Sequence, residues 1–191
     1  MPPRKPSPVG VHVPVAGGLA SGGLSYARDI GAEAVQVFLS NPRGWALSAG
    51  DARQDDEFRS GCVSAKIPAF VHAPYLVNLG SPTETTLENS VRSLRHTLAR
   101  AGAIGAHGVV VHAGSAVTPS SKPAAMAQLR AHLLPLLDEI PDSGPDLLIE
   151  PTAGAGQSLA STVEDLGPYL QALDDHPKVG VCLDTCHAFA A

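Results

Sequence analysis

The chain has 191 residues, 44% of them hydrophobic and 16% charged, with a formal net charge of −5. That length and apolar content suit one domain with a sizeable core and exclude a disordered chain, and no apolar run reaches the roughly 20 residues of a membrane span. The acidic balance argues weakly against nucleic acid, because phosphate binding usually leaves a basic footprint, but bound divalent cations would cancel several of those charges.

Residues 1–8, Met1-Pro-Pro-Arg-Lys-Pro-Ser-Pro8, lack the apolar segment of a secretory signal. They read as a short disordered lead into a single cytoplasmic domain over 9–191. Six short apolar or β-branched runs follow: Val9–Val13, Ala34–Leu39, Ala69–His72, Gly108–His112, Asp146–Glu150 and Val179–Asp184. Helical patterns fill the gaps. Ser81-Pro82-Thr83-Glu84 has the form of a capping box with proline at the first helical position, and Leu87, Val91, Leu94 and Leu98 follow at helical spacing. Met126, Leu129, Leu133, Leu134 and Leu137 make an apolar stripe between Ser120 and Ile140, and Ser161-Thr-Val-Glu164 opens another helix in the way Ser81 does. The stripes read as faces packed on a sheet. Three cysteines, Cys62, Cys182 and Cys186, cannot all pair within one chain and read as reduced thiols. Cys182 and Cys186 bracket Asp184 without zinc-knuckle spacing.

Alternating β and α elements predict a parallel sheet with right-handed crossovers, either doubly wound or closed as a (β/α)₈ barrel. His12, His72, His112, Glu150 and Asp184 all stand at or near the C-terminal ends of their runs. Five strands delivering polar groups to the same edge describe a barrel mouth better than the single switch point of a doubly wound sheet. The glycines of Val15–Gly23 have neither a dinucleotide nor a Walker spacing.

One histidine after an apolar strand is more often structural than functional. Glu150 is different, because a buried carboxylate must find cations or donors. His72, His112 and Glu150 meeting at one rim make a plausible metal site, to which Asp184 and His187 add a second carboxylate and a third imidazole. His12 ends the first run at that rim, where ligand support, substrate contact and packing are all open to it. His96, His107, His132 and His176 fall on helices or connections and read as structural or surface residues.

These residues sit inside longer matching segments: His12-Val-Pro-Val-Ala-Gly-Gly-Leu, Asn41-Pro-Arg-Gly-Trp45, His72-Ala-Pro-Tyr-Leu-Val-Asn-Leu-Gly80, His112-Ala-Gly-Ser115, Ile149-Glu-Pro-Thr-Ala-Gly154 and Val179 to Ala191. In that order, across essentially the whole chain, they resemble endonuclease IV, the metal-dependent apurinic/apyrimidinic endonuclease of DNA base-excision repair. The resemblance implies a TIM barrel with up to three zinc ions at its mouth. His72 and His112 would hold the first zinc with Glu150. Glu150 would bridge to a second that Asp184 also binds, and His187 would bind the third. Arg43 and Tyr75 match loop residues that enter double-stranded DNA at an abasic site, and His12 and Asn78 are candidates to support the ligands. The implied reaction is hydrolysis of the phosphodiester 5′ to the lesion, leaving a 3′-hydroxyl, by a monomeric enzyme with Glu150 at its catalytic centre.

The family barrel continues for two further strands that carry more metal ligands. This chain is therefore expected to hold about six of eight βα units, with little activity on its own. Two rivals remain. One is a sugar isomerase or epimerase on the same barrel, which also uses histidine and carboxylate ligands but has no reason for Arg43 and Tyr75 in exposed loops. The other is a non-catalytic, truncated remnant.

Overall fold

The computed structural model describes residues 7–153 and 157–191. Most of the expected N-terminal lead, and Gly154 at the end of the motif that follows Glu150, lie outside the described residues. Six strands form: β1 (Gly10–His12), β2 (Ala34–Val37), β3 (Ala69–His72), β4 (Gly108–His112), β5 (Asp146–Glu150) and β6 (Val179–Val181). All pair in parallel, in the order β1-β2-β3-β4-β5-β6. Each strand lies beside its predecessor, so the strand order never reverses as a doubly wound sheet requires. The sheet is the wall of a TIM-type barrel, and β1 and β6 have one neighbour each among the described residues.

Period-two alternation sorts the strand residues between two faces. Val35, Val37, Ala69, Val71, Val109, Val111, Leu147 and Ile149 are buried toward the helices. The opposite set, including Gln36, Phe70, Val110 and Leu148, lines the barrel interior. Leu148 fills one inner layer. A Cβ on Gly108 would lie 2.8 Å from one of its methyls and a Cβ on Gly180 2.9 Å from the other, so a larger residue at either position would push Leu148 aside.

The helices are α1 (Ser25–Asp29, entered through a π-helical turn at Leu19–Leu24), α2 (Ala52–Ala65), α3 (Glu84–Ala103), α4 (Lys122–Asp138), α5 (Val163–Ala172) and α6 (Thr185–Ala190). Their buried stripes are those the spacing predicts, with Leu94 and Leu98 on α3 and Leu129, Leu133 and Leu137 on α4. Asp55 and Arg100 join α2 to α3 as a largely buried ion pair, with Arg100 Nη2 donating to Asp55 Oδ1 at 3.0 Å.

Three local expectations shift. Ser81 does not cap α3. Its Oγ accepts the N–H of Thr83, and Thr83 is the N-cap residue, which leaves Pro82 outside the helix. The box opening α5 uses Thr162 and Asp165, one position later than Ser161 and Glu164. Last, β6 stops at Val181, and Asp184 is the N-cap of α6 rather than a strand end, accepting from the N–H groups of Cys186 at 2.6 Å and His187 at 3.0 Å. A carboxylate that satisfies two otherwise orphaned N–H groups favours turning into a helix over prolonging an edge strand.

Candidate metal centre

The C-terminal ends of the strands converge on one cleft of about 490 Å³, lined by His12, Gln36, His72, Tyr75, His112, Glu150 and the Cys182–His187 turn. Sheet register explains the convergence. His112 lies directly opposite Glu150, and His72 opposite Val110, so all three side chains emerge on the inner face at the barrel mouth. Two groups result, in which every residue offers a ligand atom within 4.8 Å of the others: His72, His112 and Glu150, and Glu150, Asp184 and His187. Glu150 belongs to both. Its Oε2 lies 3.3 Å from His72 Nε2, and its Oε1 lies 2.9 Å from His187 Nδ1.

The protonation pattern fits a cation. His72 Nδ1 is 2.6 Å from the Ala73 carbonyl oxygen, which can only accept, so Nδ1 carries the hydrogen. In the neutral ring Nε2 then turns a lone pair toward Glu150. Two acceptors facing one another require a proton or a metal between them. A backbone carbonyl that fixes the tautomer in this way is the usual support of a metal-bound histidine. Burial lowers the pKa of His112, against the pull of Glu150, so its ring stays neutral at neutral pH, the form that binds metal. His187 Nδ1 is buried without a hydrogen-bond partner although it sits beside Glu150 Oε1. Glu150 itself is 4% exposed, and its only ion-pair partners among the described residues are these imidazoles. The N–H groups of His187 and Cys186 hold the Asp184 carboxyl below the usual range, which keeps it ionised. The donor set of imidazoles and carboxylates therefore fits a divalent metal of the zinc type.

Tyr75 is 47% exposed and caps the cleft. Its ring stacks on His112, with centroids 5.6 Å apart and planes at 24°, and meets His72 edge-on at 5.3 Å. Arg43 is exposed on the loop after β2. That loop is tied to the Tyr75 loop where the Tyr75 N–H donates to the Pro42 carbonyl at 2.9 Å. His12 reaches the rim without joining either ligand group: Gln36 Oε1 is 2.8 Å from its Nδ1, and Phe38 packs against its ring at 4.6 Å. The Asn78 amide bonds to loop backbone rather than to a ligand ring. His96, His107, His132 and His176 take no part in either ligand group.

The sequence pattern passes over Gln36 and Phe38. Gln36 does leave a trace, as the one polar side chain inside the run Ala34–Leu39. Phe38 lies past the end of β2, where alternation no longer reports direction, yet it contacts the rings of His12, His72 and Tyr75.

The sequence profile of the xylose isomerase-like TIM barrel family matches residues 24–191. A Streptomyces avermitilis protein named "Probable endonuclease 4" is 64% identical over 186 residues, which cover 97% of this chain and 60% of that protein. The chain thus spans about 60% of the length of that curated relative. The crystal structure of endonuclease IV from Thermus thermophilus superposes with a TM-score of 0.82 at 35% identity, over 97% of this chain and 65% of that one. A D-tagatose 3-epimerase-like protein shares the fold, with a TM-score of 0.73 at 19% identity over 95% of this chain and 66% of its own. The chain belongs to the xylose isomerase-like TIM barrel family and, within it, to the endonuclease IV group.

Proposed function

We propose that the chain carries the zinc- and DNA-binding part of an endonuclease that hydrolyses the phosphodiester 5′ to abasic sites in double-stranded DNA, leaving a 3′-hydroxyl. The observation that carries this reading is the position of Glu150, with one oxygen toward His72 and the other toward His187. A carboxylate aimed both ways suits a bridge between cations. His72, His112 and Glu150 would hold the first zinc, Glu150 and Asp184 a second, and His187 a third. Zinc held at these positions would supply the Lewis-acid charge that activates water and offsets the charge developing on phosphoryl oxygens.

The chain's own residues do the rest. The Ala73 carbonyl holds the His72 ring so that Nε2 faces the cleft. Tyr75 covers the His112 ring and limits the approach of water from that side. Tyr75 borders the ligand rings and Arg43 lies exposed on the loop linked to its own, so both would be available to a duplex opened at a lesion. The identity with endonuclease 4 sequences favours this reading over a sugar epimerase, for which the likeness is one of fold alone.

The test uses metal-depleted protein, zinc, and a duplex with one tetrahydrofuran abasic analogue. Zinc is expected to bind, and the zinc-loaded chain to prefer the abasic duplex over the intact one. Arg43→Ala and Tyr75→Ala should reduce that preference. Any nicking should fall 5′ to the analogue and vanish in Glu150→Gln. Absence of zinc binding, equal affinity for both duplexes, or turnover of ketoses without DNA binding would each sink the proposal.

A further inference from the structure

Asn78 lies in the loop after β3 and makes no hydrogen bond to the candidate ligands, yet its side chain makes three. Its Oδ1 accepts from the N–H groups of Gly80 at 3.0 Å and Ser115 at 2.9 Å, and its Nδ2 donates to the Ser115 carbonyl at 3.0 Å. The amide orientation is fixed by these partners, since the two N–H groups need the oxygen and the carbonyl needs the nitrogen. The Asn78 backbone N–H donates to Ser90 Oγ on α3 at 2.9 Å. One side chain thus pairs with both backbone groups of a residue on the neighbouring loop, as an added strand would.

The two loops so joined carry the site. The first runs from His72 through Tyr75 to Gly80, and the second begins at His112 and includes Gly114 and Ser115. The second passes close beneath the amide. Gly114 has φ +86°, and a Cβ there would lie 3.0 Å from Asn78 Oδ1, so the loop needs a glycine to pass. His72 and His112 rings meet at 5.3 Å, and Tyr75 spans both. Strand pairing sets the registers of β3 and β4, and past the strand ends, among the described residues, the Asn78 side chain hydrogen-bonds one loop to the other.

We propose that Asn78 is a positioning residue: it clamps the loop after β3 to the loop after β4 and so holds His72, His112 and Tyr75 in register for a cation. The inference rests on the metal-centre reading above. Asn78→Ala removes all three side-chain bonds. Asn78→Asp keeps the two accepted bonds, loses the donated one and sets an anionic oxygen against the Ser115 carbonyl. Phe58→Leu, in the core beneath α2, serves as a variant that destabilises without touching either loop.

Two measurements on the 191-residue chain decide the matter: zinc affinity by competition with a chromophoric chelator, and the imidazole NMR resonances of His72 and His112 in metal-free protein at fixed pH. Asn78→Ala should weaken zinc by about 10- to 100-fold, the range for residues that orient metal ligands, and should shift or broaden both ring resonances. Asn78→Asp should fall between it and wild type, and decides the case if the alanine variant does not fold. Phe58→Leu should lower the melting temperature and leave both readouts unchanged. Wild-type zinc affinity and ring resonances in folded Asn78→Ala or Asn78→Asp protein would overturn the clamp, as would equal changes in Phe58→Leu. Failure of wild-type protein to bind zinc would instead overturn the metal-centre reading, and the ring resonances would still decide the role of Asn78.

Discussion

The two ligand groups share Glu150 but are built differently. His72, His112 and Glu150 end three adjacent strands in the middle of the sheet, each paired on both sides. His72 and Glu150 are buried, and His72 is locked by a carbonyl. Asp184 and His187 stand instead on the turn after β6, a three-residue edge strand that pairs only with β5 among the described residues. Their side chains are 38% and 31% exposed, and they are held by the first turn of a six-residue helix. Preorganisation follows pairing. A ligand fixed by two ladders keeps its place without a metal, whereas one fixed by an N-cap at an edge relies more on the metal to order it.

The contrast can be broken at the sheet itself. Leu147→Ala in β5 should cost about 2–5 kcal/mol of stability in urea titrations, the range for a fully buried leucine. Val181→Ala in β6 should cost only about 1 kcal/mol, because that side chain is partly exposed and loses little apolar area. Hydrogen exchange should give the same order, with β3 to β5 amides slowest and β6 among the first to open. Equal protection across all six strands would remove the distinction between centre and edge.

Glu150→Gln tests what the groups share. Both should fail together, with zinc weakened by roughly 100-fold or more. The metal-free melting temperature should not fall, because a buried charge without a full counter-charge is replaced by a neutral amide of the same size. Retained zinc binding would mean that the groups act independently.

The histidines sharpen the comparison within the site. His112→Ala should weaken the first zinc equivalent more than His187→Ala does, whereas His187→Ala should chiefly reduce stoichiometry beyond that first ion, as read by titration calorimetry. The reverse order would place the stronger site at the edge.

The smallest effect belongs to the start of α5, the helix that leads to β6. Asp165 accepts from the N–H groups of Ser161 at 2.8 Å and Thr162 at 3.1 Å, and these bonds hold its carboxyl below the ordinary range. Its folded pKa is depressed, so its stabilisation is full above the ordinary carboxylate value and is lost as pH falls through the folded value. Asp165→Ala should therefore cost about 1 kcal/mol at neutral pH and progressively less in acid. A cost that does not change with pH would show that the capping charge contributes nothing.

Much of this architecture was legible in the sequence because its signals are local. Short apolar runs such as Ala34–Val37 and Gly108–His112 mark strands, and turn-forming residues beyond each run place His72, His112 and Glu150 at strand ends. The same local logic misjudged the caps at Ser81 and Ser161 by one or two positions, since several hydroxyls there compete for the same N–H groups. It also carried β6 on to Asp184, because the sequence does not reveal that Asp184 caps the following helix instead, with its carboxylate on the N–H groups of Cys186 and His187.

The sequence by itself thus determined the parallel βα alternation and the identity of the candidate ligands, because apolar runs, helical stripes and the polar residues at run ends are local features of the chain. Only the tertiary structure decided that Glu150 turns one oxygen to each group, that Tyr75 stacks on His112, that Phe38 and Gln36 border the cleft, and that Asn78 joins two loops. Those facts depend on distances between segments far apart in the chain. Such distances are set by strand register and loop path, which local periodicity does not encode.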